Sequence, residues 1–166
     1  AVIETMLRID LPKSLPSGGQ VTFNIGWTYQ IIDAKRVRVR SGHEYFEEDG
    51  NSIYELAQWF PRMCAYTDVN GWQNKQFIRR GEFSLEFGDY RVAITTPDDH
   101  IVSSTGVLQN PDAVLTEQQR ERLKQAETAE VPQFIVTPEE AKANEKEKGK
   151  GEKTWVFQAE NVRDFA

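Results

Sequence analysis

The chain has 166 residues, 39% of them hydrophobic and 11% aromatic, which suits one domain with a core; the low apolar share traces to residues 116 to 153, which are rich in charge. A net charge of −6 and a pI near 5.1 set an acidic surface against phosphate backbones and exclude general nucleic-acid binding. No run of about 18 apolar residues exists to span a membrane, and Ala1 to Leu11 lack the basic-then-apolar order expected of a signal peptide.

Leu7, Ile9 and Leu11 alternate with Arg8 and Asp10, which predicts a first strand. Pro12, Pro16, Gly18 and Gly19 then supply turn chemistry. Val21, Phe23, Ile25, Trp27, Tyr29 and Ile31 alternate with polar residues or glycine. This strict period of two predicts a second, antiparallel strand with one face on a core. Residues 41 to 76 have many rings and poor periodicity, broken at Gly42, Asp49-Gly50 and Asn70-Gly71. They read as short strands and an irregular loop packed by aromatic side chains. Phe83, Leu85 and Phe87, a Gly88-Asp89 turn, and Tyr90, Val92 and Ile94 predict a hairpin ended by Pro97.

The region 110 to 153 reads as a charged insertion with two helices. Thr116 with Gln119 forms a capping box before Glu121 to Glu127. Thr137-Pro138-Glu139-Glu140 starts a second helix with a threonine cap and proline at the first helical position. Neither has a wide apolar stripe, so both belong on the surface. Glu145 to Lys153 alternates charges with Gly149 and Gly151 and reads as a solvated, mobile loop. Trp155, Phe157 and Ala159 predict a closing strand over Thr154 to Ala166, whose abrupt end is expected to mark a piece of a longer polypeptide. The expected fold class is therefore mainly β.

Complete catalytic or metal motifs are missing. His43 and His100 stand 57 positions apart, neither with a histidine partner one helical turn away, and both read as surface or hydrogen-bonded residues. Gly18-Gly19 lacks the lysine and helix of a phosphate loop, and no Gly-x-Ser-x-Gly elbow occurs. Cys64 is the one cysteine and reads as a small buried apolar side chain. The carboxylates Glu47, Glu48, Asp49, Asp98 and Asp99 cluster at turn signals, where acidic residues have conformational reasons to be. What remains is Glu55-Leu56-Ala57-Gln58-Trp59-Phe60-Pro61-Arg62-Met63. There a carboxylate, an amide and an arginine stand amid rings, a composition suited to recognising an ammonium or peptide group.

Four segments occur in a telling order: LRIDLPKSLPSGGQVTFNIGWTYQI, AQWFPRMCAYTDVNGWQNKQF, GEFSLEFGDYRVAITTPDDHIVSSTGVLQN and KTWVFQAENVRDFA. Together they resemble the N-terminal β domain of aminopeptidase N-type zinc metallopeptidases, the gluzincin aminopeptidases, and bacterial members above all. The resemblance covers nearly the whole chain, and residues 57 to 72 and 155 to 166 carry its most specific motifs. It implies a single domain over 1–166, a saddle-like antiparallel β-sandwich that precedes a thermolysin-like catalytic domain of the same polypeptide. That downstream domain would carry zinc on an H-E-x-x-H helix, together with the Gly-x-Met-Glu-Asn segment. Neither motif is in this chain, so no catalytic or metal-binding residue is expected here.

The resemblance also implies a peptide substrate and an exported protein. A glutamine or glutamate of this domain helps hold the substrate's free α-amine. Gln58 matches that position, with Glu55 as the substitute. The family's Pro-Cys-x-Asp pattern is not reproduced, since Phe60-Pro61-Arg62-Met63 and Tyr66-Thr67-Asp68 stand there. The competing expectation is a free-standing β-sandwich module for carbohydrate or protein. Trp59 and Trp72 would stack on the ligand, while Trp27 and Trp155 are spent in a core. A structural adaptor in a larger assembly is the third reading.

Overall fold

A computed structural model describes residues 1–37, 41–77, 84–146 and 148–166. Strand accounts for 28% and helix for 13%, so the protein is mainly β, built from small antiparallel sheets that do not close into a barrel. The chain divides into two compact units. The first comprises Ala1–Ile31 with Trp59–Glu86, and the second Ile32–Gln58 with Phe87–Ala166.

Among the described residues, the second unit holds nearly all of the buried core. Its centre is a three-stranded sheet in which β9 (Glu152–Val162) lies between β7 (Gly88–Pro97) and β8 (Val107–Leu108). Period-two alternation explains the burial. Trp155, Phe157 and Ala159 are buried on one face of β9, opposite Ile94, Val92 and Tyr90 of β7. The closing strand is therefore where its pattern puts it. A bulge interrupts the ladder beyond Tyr90. There Asn161 adopts a left-handed φ of 53°, and the Asp89 carboxylate accepts from its backbone N–H at 2.8 Å. Gly106 approaches β9 so closely that a Cβ would collide with the Gln158 carbonyl, and its φ of 92° also favours glycine. The chain end is tied down. Thr105 N–H donates to the Ala166 carbonyl at 2.9 Å, and Phe165 is fully buried with its ring 5.9 Å from that of Tyr90.

Three helices flank this sheet in sequence: α1 (Pro111–Val114), α2 (Glu117–Ala126) and α3 (Pro138–Asn144). Both expected capping boxes form. Thr116 accepts from Gln119 N–H and Thr137 from Glu140 N–H, while each Gln or Glu reaches back to its cap. Neither α2 nor α3 buries a residue, as their compositions require. The reading of residues 145–153 as a mobile loop needs correction at its centre; Glu147 lies outside the described residues. Gly149 N–H donates to Asp99 Oδ2 at 2.7 Å, Lys150 N–H to Asp98 Oδ1 at 3.1 Å, and Asp98 N–H to the Gly151 carbonyl. A Cβ at Gly149 would strike the Asp98 carboxylate. Glycine lets the two chains meet, and the acidic pair fastens them.

The hairpin of β3 (Gly42–Phe46) and β4 (Asn51–Glu55) completes this unit, with Glu47–Gly50 as its turn. The expected hairpin over 83–95 is not formed. Gly88 and Asp89 open β7 instead of turning, because β9 offers that strand a ladder running from Gly88–Val162 to Pro97–Glu152. Leu85 makes an antiparallel bridge to Cys64 in the first unit, and Phe83 lies outside the described residues.

The first unit is thinly buried. Among its described residues only Ala65 is buried. It contains two minimal hairpins, β1 (Val2–Ile3) with β2 (Met6–Leu7), and β5 (Tyr66–Thr67) with β6 (Gly71–Trp72). Thr5 and Gln76 stitch the start of the chain to residues 76–77 through hydrogen bonds of 2.6 to 3.1 Å. The long strand expected at Val21–Ile31 does not pair. The segment joins no sheet, and Val21, Phe23, Trp27 and Tyr29 stay 44–48% exposed. A turn does form at Pro16–Gly19, with Gly19 N–H on the Pro16 carbonyl, but the flanking segments form no ladder. Alternation states which face a strand would bury; it does not supply the neighbouring strand. Trp27 is consequently exposed instead of in the core. Cys64, expected to be buried, is only half-buried and free.

Candidate substrate-binding segment

Glu55 is the last residue of β4, opposite Gly42 at the open end of the β3–β4 hairpin. The chain leaves the ladder there, and the Ser41 hydroxyl takes over its hydrogen bonding. Ser41 Oγ donates to the Glu55 carbonyl at 2.9 Å and accepts from Ala57 N–H at 3.1 Å. This bracket fixes the backbone just ahead of Gln58. Gln58 itself has a left-handed φ of 55°, one of three non-glycine residues so described. That conformation costs an L side chain about 1–2 kcal/mol. Such strain collects at functional positions held by their surroundings.

Both side chains suit the expected chemistry. Glu55 and Gln58 are exposed, and among the described residues neither carboxylate nor amide has a hydrogen-bond or ion-pair partner. A carboxylate accepts only, and a glutamine Oε1 accepts while its Nε2 donates. Each therefore has an open acceptor for an ammonium. The rings that follow belong to the first unit. Trp59 and Phe60 meet edge to face at 5.0 Å, and Trp27 sits 6.1 Å from Trp59 and donates its indole N–H to the Trp59 carbonyl at 3.0 Å. Sequence reasoning missed Ser41 and the Trp27–Trp59 contact. Each joins residues more than a dozen positions apart, and no local pattern marks them.

The histidines are brought together, though not as ligands. The Tyr54 ring stands between His43 at 4.9 Å and His100 at 5.8 Å. His43 Nε2 shares a 3.1 Å hydrogen bond with Ser52, and His100 Nδ1 meets Asp99 Oδ1 at 2.6 Å. The Gly149 N–H and then His100 hold the Asp99 carboxyl below its ordinary range. The acidic clusters take the conformational roles expected of them. Glu47–Asp49 form a hairpin turn, and Asp98–Asp99 fasten the 149–151 loop. Among the described residues no group of three or more His, Cys, Asp or Glu is arranged to hold a metal ion. No helix is long and apolar enough to cross a membrane.

No protein-family model, no curated protein and no solved structure matches this chain.

Proposed function

We propose that this chain is the non-catalytic N-terminal domain of a zinc-dependent aminopeptidase, a saddle-like β-sandwich that helps form the substrate cleft and holds the peptide's α-amine. The ordered set of four sequence segments, with AQWFPR at its centre, carries this reading. The left-handed backbone of Gln58 and its unengaged amide support it. In this role Gln58 Oε1 accepts from the substrate ammonium, a charge-assisted bond worth about 1.5–3 kcal/mol. Glu55, three residues earlier, adds negative charge on the same short segment or substitutes for it. The donor set of this chain does not fit zinc, because its two histidines flank a tyrosine with no third ligand among the described residues. The metal of the reaction belongs to the downstream catalytic domain, whose partner surface this chain provides. The protein is exported on this reading.

The first experiment reads the coding sequence beyond Ala166. An H-E-x-x-H helix followed by a glutamate ligand is expected, and a reading frame without either ends the proposal. In that full-length enzyme, Gln58→Ala is expected to raise the KM for aminoacyl substrates about ten-fold or more. An unchanged KM in a folded variant moves the role to Glu55 or elsewhere.

One observation favours a second reading. Trp27, expected in a core, is 47% exposed and joins the 56% exposed Trp72 as a candidate stacking platform for carbohydrate in the first unit. Tryptophan fluorescence distinguishes the two: quenching by oligosaccharides and not by dipeptides points to a carbohydrate-binding module.

A further inference from the structure

Gln58 keeps a left-handed φ of 55° that its own side chain does not explain. The residue is exposed, as is Ala57 before it, so burial holds neither. Among the described residues the Gln58 amide has no partner, so no side-chain bond of its own imposes the conformation. A backbone in a disfavoured region persists only where its surroundings over-determine it. The constraint therefore acts on the main chain.

Ser41 supplies it. Among the described residues its side chain is the only one hydrogen-bonded to the backbone of residues 55–58. A hydroxyl has one proton and two lone pairs, so it can donate and accept at once. Its proton goes to the Glu55 carbonyl at 2.9 Å, in preference to the Ala57 carbonyl at 3.4 Å, while its oxygen accepts from the Ala57 N–H at 3.1 Å. Ser41 is itself well seated. Gly42, the next residue, is buried and pairs with Glu55 across the hairpin. On its other side a Cβ at Gly42 would strike the Ile32 carbonyl, which accepts from His43 N–H at 2.8 Å. Every residue of this arrangement belongs to the second unit.

We propose that Ser41 is the positioning residue of the amine site: by clamping residues 55–57 it keeps Gln58 left-handed and its amide turned to the substrate ammonium. This rests on the reading of Gln58 as the acceptor of the α-amine. Without the clamp, the steric bias of an L residue lowers the left-handed population about five-fold or more. Apparent affinity falls with the fraction of competent molecules. The effect cannot exceed that of deleting the amide itself. Because Glu55 and Ala57 are exposed, water replaces both lost bonds, and the cost to stability is small.

A double-mutant cycle in the full-length aminopeptidase of that reading tests the role. Ser41→Ala is expected to raise KM about five-fold, with kcat and the urea midpoint nearly unchanged. Ser41→Thr, which keeps the hydroxyl, should restore KM. In the Gln58→Ala background, Ser41→Ala should raise KM no further. In the ¹⁵N,¹³C-labelled chain, Ser41→Ala should move the Gln58 backbone shifts away from the left-handed pattern and speed exchange of the Ala57 amide. If Gln58→Ala raises KM and Ser41→Ala does not, the role of Ser41 is overturned and the amine reading stands. An equal rise from Ser41→Ala with or without the Gln58 amide overturns it too, since Ser41 would then act by another route. If Gln58→Ala itself leaves KM unchanged, the amine reading falls and the positioning role falls with it.

Discussion

At the scale of single residues, Gln58 concentrates the functional argument because its side chain and its backbone make separable claims. The amide is tested by ligand binding and the left-handed φ by stability. Gln58→Gly relieves the steric cost of a Cβ at φ 55° and is expected to stabilise the chain by up to about 1 kcal/mol, read from a urea midpoint. Gln58→Ala keeps the Cβ and should leave stability within about 0.5 kcal/mol. Both remove the acceptor, so if the chain belongs to the aminopeptidase proposed above, both should raise its KM alike. A KM that follows stability, differing between the two variants, would mean that backbone shape and not the amide matters. The role proposed for the side chain rests on the AQWFPR segment, which did not announce the backbone conformation. Nothing in that string announces that a hydroxyl at Ser41 would bracket residues 55–57.

At the scale of elements, legibility followed the range of the interactions. The two helices of the insertion were plain because capping boxes are local: a threonine, a residue three positions on, and two reciprocal hydrogen bonds. What the sequence did not announce is that Glu140 serves twice. It caps α3 and also takes a bidentate ion pair from Arg122 of α2. The Arg122 guanidinium, and then the Thr137 N–H, lower its carboxyl from the ordinary 4.5 to about 2. A carboxyl depressed on folding adds stability that is present above pH 4.5 and is lost as pH falls toward 2. Asp99 is shifted the same way and adds to the same acid loss. Glu140→Gln retains the cap geometry and removes the charge. Its thermal midpoint should fall less steeply between pH 5 and pH 2 than that of the unaltered chain, and an identical slope would rule out this source. The 149–151 loop was misread for the complementary reason. Its charges and glycines say solvated locally, whereas its anchors at Asp98 and Asp99 lie some fifty residues back. Hydrogen exchange should find the Gly149 and Lys150 amides protected, and Asp98→Ala combined with Asp99→Ala should release both. Amides that exchange freely before the substitutions would show the clamp is not populated.

At the scale of the whole molecule, two alternating segments of similar quality met different fates. Trp155, Phe157 and Ala159 found Ile94, Val92 and Tyr90 across a ladder and were buried. Val21 to Ile31 alternates at least as strictly, yet joins no sheet and keeps its rings exposed. The period of a strand is written in its own residues, while its partner is written elsewhere, so element type was legible and sheet membership was not. The physical consequence is an uneven distribution of stability. Burial of large apolar side chains is the main favourable term in folding, and among the described residues those buried are Val114, Trp155, Phe157 and Phe165 of the second unit. Removing the Phe157 ring should cost about 3–5 kcal/mol, as for buried aromatic-to-alanine changes generally. Phe23→Ala, at 44% exposure in the first unit, should cost less than about 1 kcal/mol. Native-state exchange should follow the same division. Amides of β7 and β9 should open only with global unfolding, and those of residues 20–31, outside any ladder, should exchange within the first time points. Slow exchange throughout residues 20–31 would show instead that this segment has found a strand partner in solution, and its exposed rings would then no longer be available as a binding surface.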